Sequence, residues 1–129
     1  MPQTVFPTLV FRDAKASIEW MQRALGAEPV AVYEDGDGVV QHAEIRIGES
    51  CVMCGQDRDG SKATPAGMST IYVVVPDTDA AYERAKAAGA QVTEPVDLDY
   101  GSRDITITDP DGNRWSLGTY AGAAADGSG

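Results

Sequence analysis

The sequence predicts an α+β fold in which two βαβββ modules form curved mixed sheets around a cleft. Three observations point there. A capped helix closed by glycine occurs twice, with Asp13 and Asp77 ahead of the helices and Gly26 and Gly89 behind them, 63 or 64 residues apart. Each helix follows one β-branched apolar run and precedes short alternating segments joined by turn residues. One helix to three or four strands, repeated once, is not the pattern of a solenoid.

The elements follow in order. The first strand spans 4–11, and Pro7, which has no N–H to donate, places it at an edge or a bulge. Asp13 suits an N-cap because its carboxylate accepts free N–H groups of the first turn. Over 14–25, Ala14, Ile18, Met21 and Leu25 share one helical stripe, and Gly26 can take the left-handed conformation that ends a helix. Trp20 lies off the stripe and is expected to flank the core or meet something else. Strands follow at 29–34, 39–47 and 50–54, separated by Asp35-Gly36-Asp37-Gly38 and by Gly48-Glu49. The first module is thus 1–55, and the polar stretch 56–67, with Gly and Pro, reads as a linker.

The second module, 68–120, repeats the pattern. A strand at 70–75 leads to the Asp77 cap and a helix over 79–88, with Ala81, Tyr82, Ala85 and Ala88 on one face. A weak strand at 91–96 precedes a stronger one at 102–108, with Ile105 and Ile107 on one face. Asp109-Pro110-Asp111-Gly112-Asn113 is a turn, since Pro presets φ and Gly accepts positive φ. The last strand is 114–119. Val52-Met53-Cys54-Gly55 matches Trp115-Ser116-Leu117-Gly118 in the repeat. The small, polar residues 121–129 are expected to form a flexible tail.

Composition narrows the function. Hydrophobic residues at 43% and charged residues at 23% are globular values, which exclude a disordered or fibrous chain. At this length folding buries about two-thirds of the unfolded surface, so no metal or disulfide staple is required. The net charge of −10 makes nucleic acid and anionic membranes poor partners and leaves room for a cationic or neutral ligand. The longest apolar run, Ile71-Tyr72-Val73-Val74-Val75, is too short to span a bilayer. With neither a basic nor a long apolar stretch near Met1, the expected location is the cytoplasm.

Cys51 and Cys54 form a C-x-x-C pair, but zinc needs a fuller ligand set and there is no second pair. On a strand, residues three apart point to opposite faces, so both read as reduced thiols. If Ala43, Ile45 and Ile47 pack under the helix, His42, Glu44 and Arg46 face the cleft. They either bind a ligand or move a proton, or they satisfy one another. Phe6, Met53 and Tyr72 share the inward parity and form an apolar slot suited to planar ligands, or they simply fill the cleft. Trp20, Tyr33 and Tyr100 are candidates for a rim, a lid or a dimer contact. Arg103 and Asp104 read as surface charges.

The chain resembles the vicinal oxygen chelate superfamily, which includes glyoxalase I, the extradiol dioxygenases and the bleomycin resistance proteins. The resemblance rests on Phe11-Arg12-Asp13 running into Ile18-Glu19-Trp20-Met21 and Leu25-Gly26-Ala27; on His42-Ala43-Glu44-Ile45-Arg46-Ile47-Gly48; on Ala88-Gly89-Ala90; and on Asp109-Pro110-Asp111-Gly112-Asn113-Arg114-Trp115. It implies a homodimer with clefts at a two-fold interface. In metal-dependent members, His, Gln or Glu from the first and last strand of each module hold a divalent ion. The matching positions here are Phe6, Met53, Thr70 and Ser116, none a usual ligand for such an ion. The reading that follows is a non-catalytic protein that sequesters a bulky aromatic or hydrophobic natural product, with no metal and no cofactor. Phe6, Met53 and Tyr72 would be the walls, His42, Glu44 and Ser116 the orienting groups, and Trp20 and Tyr100 the rim. The alternatives are a metal-dependent lyase, isomerase or dioxygenase, and a metal-free enzyme using His42 and Glu44.

Overall fold

The computed structural model describes residues 3–57 and 65–122. Most of the expected linker, 58–64, and most of the expected tail, 123–129, lie outside the described residues. The first half comprises β1 (Thr8–Phe11), α1 (Ala14–Leu25), β2 (Glu28–Glu34), β3 (Val40–Ile47) and β4 (Ser50–Gln56). The second comprises β5 (Thr70–Val74), α2 (Thr78–Ala87), β6 (Gln91–Val92), β7 (Val96–Asp97), β8 (Arg103–Thr108) and β9 (Arg114–Gly118). The α+β expectation holds, with two sheets ordered β1-β4-β3-β2 and β5-β9-β8-β6, and β7 paired to β8.

Internal symmetry is visible in the pairing. In each sheet the first strand runs parallel to the last, with Thr8 opposite Met53 and Tyr72 opposite Ser116. Asp13 and Asp77 cap their helices by accepting from the N–H groups of Ala16 and Ala80. Gly26 ends α1 at φ 67°, where a side chain would be strained.

Two strands are shorter than the alternation predicts, and proline accounts for both. β1 begins at Thr8 rather than at residue 4, leaving Phe6 ahead of the strand. Pro7 cannot donate to a ladder, although its carbonyl accepts from Met53 N–H. Upstream, the Gln3 side-chain amide stands in for a strand backbone, donating to Cys51 O at 2.8 Å and accepting from Cys51 N–H at 2.7 Å. The strand expected over 91–96 splits into β6 and β7, with Glu94-Pro95 in the gap.

One continuous core joins the halves. Leu9, Phe11, Ile18, Met21, Leu25, Ala43 and Ile45 meet Ala81, Ala85, Ile105, Ile107, Trp115 and Leu117. Each large side chain fully buried in it contributes about 1.5–3 kcal/mol. Helices α1 and α2 also pack on each other. Arg12 donates to Asp111 Oδ1 at 2.9 Å and to Ala66 O at 3.2 Å, and Arg84 donates to Leu25 O at the end of α1. Trp20 corrects the sequence reading: it is 7% exposed and belongs to this core, not to a rim. Because α1 packs both on its own sheet and on α2, its buried arc is wider than one stripe.

Candidate functional site

Alternation divides each sheet into a helix-covered face and an open face. On β3, Val40, Ala43 and Ile45 are buried, whereas His42 and Glu44 are half-buried on the open side. His42 Nε2 and Glu44 Oε2 are 3.0 Å apart, and the Tyr33 ring of β2 stacks on the imidazole at 6.0 Å. Glu44 lies opposite Met53 on β4. Arg46 does not join this group as the parity suggested: the edge strand β2 brings Glu28 opposite it, and the two form an ion pair.

On the second sheet the open face carries Tyr72 of β5, Ser116 of β9, and Asp104 and Thr106 of β8. Tyr72 and Thr106 both lie opposite Ser116, and Asp104 lies opposite Gly118. Tyr72 is 43% exposed, and its hydroxyl donates to Tyr120 O at 2.8 Å. Tyr100 meets Tyr120 edge-on at 5.4 Å. Partial desolvation, then the nearby Asp104 carboxylate, raises the Tyr100 pKa above the ordinary phenol value. Arg103 and Asp104, read together from the sequence as surface charges, part company here. Arg103 pairs with Asp79 and Asp97, while Asp104 turns to the open face and accepts from the Ser102 hydroxyl.

A cavity of about 630 Å³ runs along the seam between the halves, lined by Val5, Pro7, Ile47, Val52, Ile71, Tyr72 and Val74 among others. Of the expected site residues it takes Tyr72 alone. Phe6 and Met53 fall outside it, so the structure does not join them with Tyr72 in one wall of this cavity. His42, Glu44 and Ser116 lie on the open faces beyond it. Sequence reasoning passed over Asp104, Gly118 and Tyr120, although parity with Ile105 and Ile107 would have turned Asp104 to the open side.

Phe6, Met53, Thr70 and Ser116, the positions that the family resemblance matches to metal ligands, carry no imidazole or carboxylate. Among the described residues no three His, Cys, Asp or Glu side chains converge as a metal site. Cys51 and Cys54 are both free thiols.

Comparison with known proteins gives a consistent result. Residues 4–117 match the family model of the Glyoxalase/Bleomycin resistance protein/Dioxygenase superfamily. An uncharacterized protein of Mycobacterium bovis, Mb0911c, is 35% identical over 121 residues, covering 87% of this chain and 80% of that protein. Among solved structures, TioX from Micromonospora sp. ML1 superposes with a TM-score of 0.76 at 23% identity, covering 91% of this chain and 98% of that one. TnmS3, an antibiotic binding protein from Streptomyces sp. CB03234, gives 0.71 at 18% identity, covering 91% and 96%. At these identities the structural matches speak for the fold.

Proposed function

This chain belongs to the glyoxalase/bleomycin resistance protein/dioxygenase superfamily, and from that membership we propose that it is a non-catalytic binding protein that sequesters a bulky aromatic or hydrophobic natural product. One feature of the sequence carries the reading: at the four positions that the family resemblance matches to metal ligands stand Phe6, Met53, Thr70 and Ser116, apolar and hydroxyl side chains. The fold neighbour TnmS3, described as an antibiotic binding protein, supports the same direction. The protein acts as a homodimer in the cytoplasm. The open faces carry exposed Tyr33, Tyr72 and Val74, and a partner copy laid over them would exclude water from apolar surface.

In that dimer Phe6, Met53 and Tyr72 are the apolar walls, and His42, Glu44 and Ser116 orient the ligand. Thermal-shift screening against aromatic antibiotics identifies a ligand class, and sedimentation at micromolar concentration tests the dimer. Replacing Tyr72 or Phe6 by Ala weakens ligand binding by about tenfold, since an aromatic contact contributes about 0.5–1.5 kcal/mol beyond area burial. A second reading draws on the 3.0 Å His42–Glu44 contact, which is the geometry of a general base and its orienting carboxylate. A ligand recovered chemically changed, with the change lost in His42→Ala, would replace sequestration with catalysis.

A further inference from the structure

The open face of the second sheet gathers groups that share one property: each presents negative charge, a lone pair or a π-face. Asp104 Oδ1 and the Tyr72 hydroxyl both crowd over Gly118, and a Cβ there would collide with Asp104 and come within 2.7 Å of the phenol oxygen. The Tyr72 O–H is already committed to Tyr120 O, so its oxygen offers the patch only lone pairs. The Ser102 hydroxyl is likewise committed: it donates to Asp104 Oδ1 and accepts from Tyr120 N–H. Tyr100, 61% exposed, and Tyr120 add their rings in edge-to-face contact. Among the described residues no Lys or Arg pairs with Asp104, since neighbouring Arg103 is engaged by Asp79 and Asp97.

We propose that Asp104, with the Tyr72, Tyr100 and Tyr120 side chains around it, binds an organic cation, a protonated or quaternary amine. The Asp104 carboxylate only accepts, and the Tyr72 O–H is spent on Tyr120 O, so the group that complements these two oxygens is a donor or a bare positive charge. Phenol rings attract a cation through their quadrupole and suit the alkyl substituents of an amine better than a hydrated metal ion. The net charge of −10 adds a field of the same sign. Gly118 is what keeps the space: any side chain at that position would displace the carboxylate and the phenol. The inference rests on the small-molecule-binding reading above and deepens it, because the natural product then carries an amine docked at Asp104 while its apolar body lies on the sheet.

The test uses benzyltrimethylammonium, with benzyl alcohol as a neutral aromatic control, and follows backbone and tyrosine signals by NMR titration of the full chain. The cation is expected to shift Asp104, Gly118, Tyr72, Tyr100 and Tyr120 and to bind about tenfold more tightly than the alcohol. Asp104→Asn keeps an oxygen for Ser102 and should erase that preference. Equal binding of the two probes, shifts that map to other acidic surfaces, or a preference that survives Asp104→Asn would each overturn the cation site. The two readings fail separately. Aromatic antibiotics that bind with no dependence on Asp104 refute the cation site alone. Benzyltrimethylammonium bound at Asp104 in a protein that retains no hydrophobic natural product supports the cation site and refutes sequestration.

Discussion

Gly55 and Gly118 occupy matching places in the repeat, one on the last strand of each sheet, but different things fill the space they leave. At Gly55 the backbone carbonyl of Gln41 lies 2.6 Å from where a Cβ would be. At Gly118 two polar side chains, Asp104 and Tyr72, occupy that space. The first glycine lets the chain close on itself; the second leaves room for functional groups. At this one pair of positions the duplicated skeleton gives the first glycine over to backbone packing and the second to a polar, aromatic face. The turns between the last two strands of each half differ as well. β3 and β4 are joined by exposed Gly48-Glu49, whereas β8 and β9 are joined by a turn organised around buried Asp109.

The largest expected effect tests that second turn. Asp109 Oδ1 accepts from the N–H groups of Asp111, Gly112 and Asn113, and Oδ2 accepts from Asn113 Nδ2 and Trp115 Nε1. Asp109→Ala strands buried donors that cost about 1–3 kcal/mol each, so urea unfolding should show a loss of about 3 kcal/mol or more. A loss under about 1 kcal/mol would mean that water replaces the carboxylate and that the two turns are energetically alike. Next comes Gly55→Ala, where only backbone movement relieves the collision. A destabilisation of about 1–3 kcal/mol is expected from the same unfolding measurement.

On the alkaline limb, comparison with Cys54→Ala isolates a group of the first sheet. Burial pushes the Cys54 thiol up to about 12 from an ordinary 9.0. The folded protein therefore holds this proton after the unfolded chain has released it. The stabilising contribution is complete below the ordinary thiol pKa and declines as pH rises towards about 12, by up to about 1.4 kcal/mol per pH unit. Unfolding midpoints from neutral to strongly alkaline pH should fall more steeply for the native chain than for Cys54→Ala; parallel curves would refute the assignment. The smallest effect on stability is at Gly118. Gly118→Ala meets side chains that can rotate away, so it should cost less than about 1 kcal/mol while abolishing the preference for benzyltrimethylammonium. An equal cost at Gly55 and Gly118 would erase the contrast between them.

Much of the architecture is legible in the residues. Aspartate caps, glycine stops and alternation act within a few residues, and these local rules located both helices and most strands. The parity of His42 and Glu44 against Ala43 and Ile45 carried through to their observed faces. Trp20 was misread because a stripe on an isolated helix ignores the several elements packed around α1, which bury more than one face of it. Arg46 was grouped with His42 and Glu44 because parity names a face and not a partner; Glu28, 18 residues earlier in the chain, decides where its charge goes.

By itself the sequence determined the duplicated strand–helix order and the faces of the strands. Those properties depend on residue type and short spacing. Only the tertiary structure decided which open-face residues meet. Tyr72, Asp104 and Gly118 are far apart in the chain and become neighbours through the strand order β5-β9-β8 and the registers Tyr72–Ser116 and Asp104–Gly118. A two-residue period assigns sides but carries no information about lateral partners, because pairing is set by long-range hydrogen bonds and by the volume available at the crossing point.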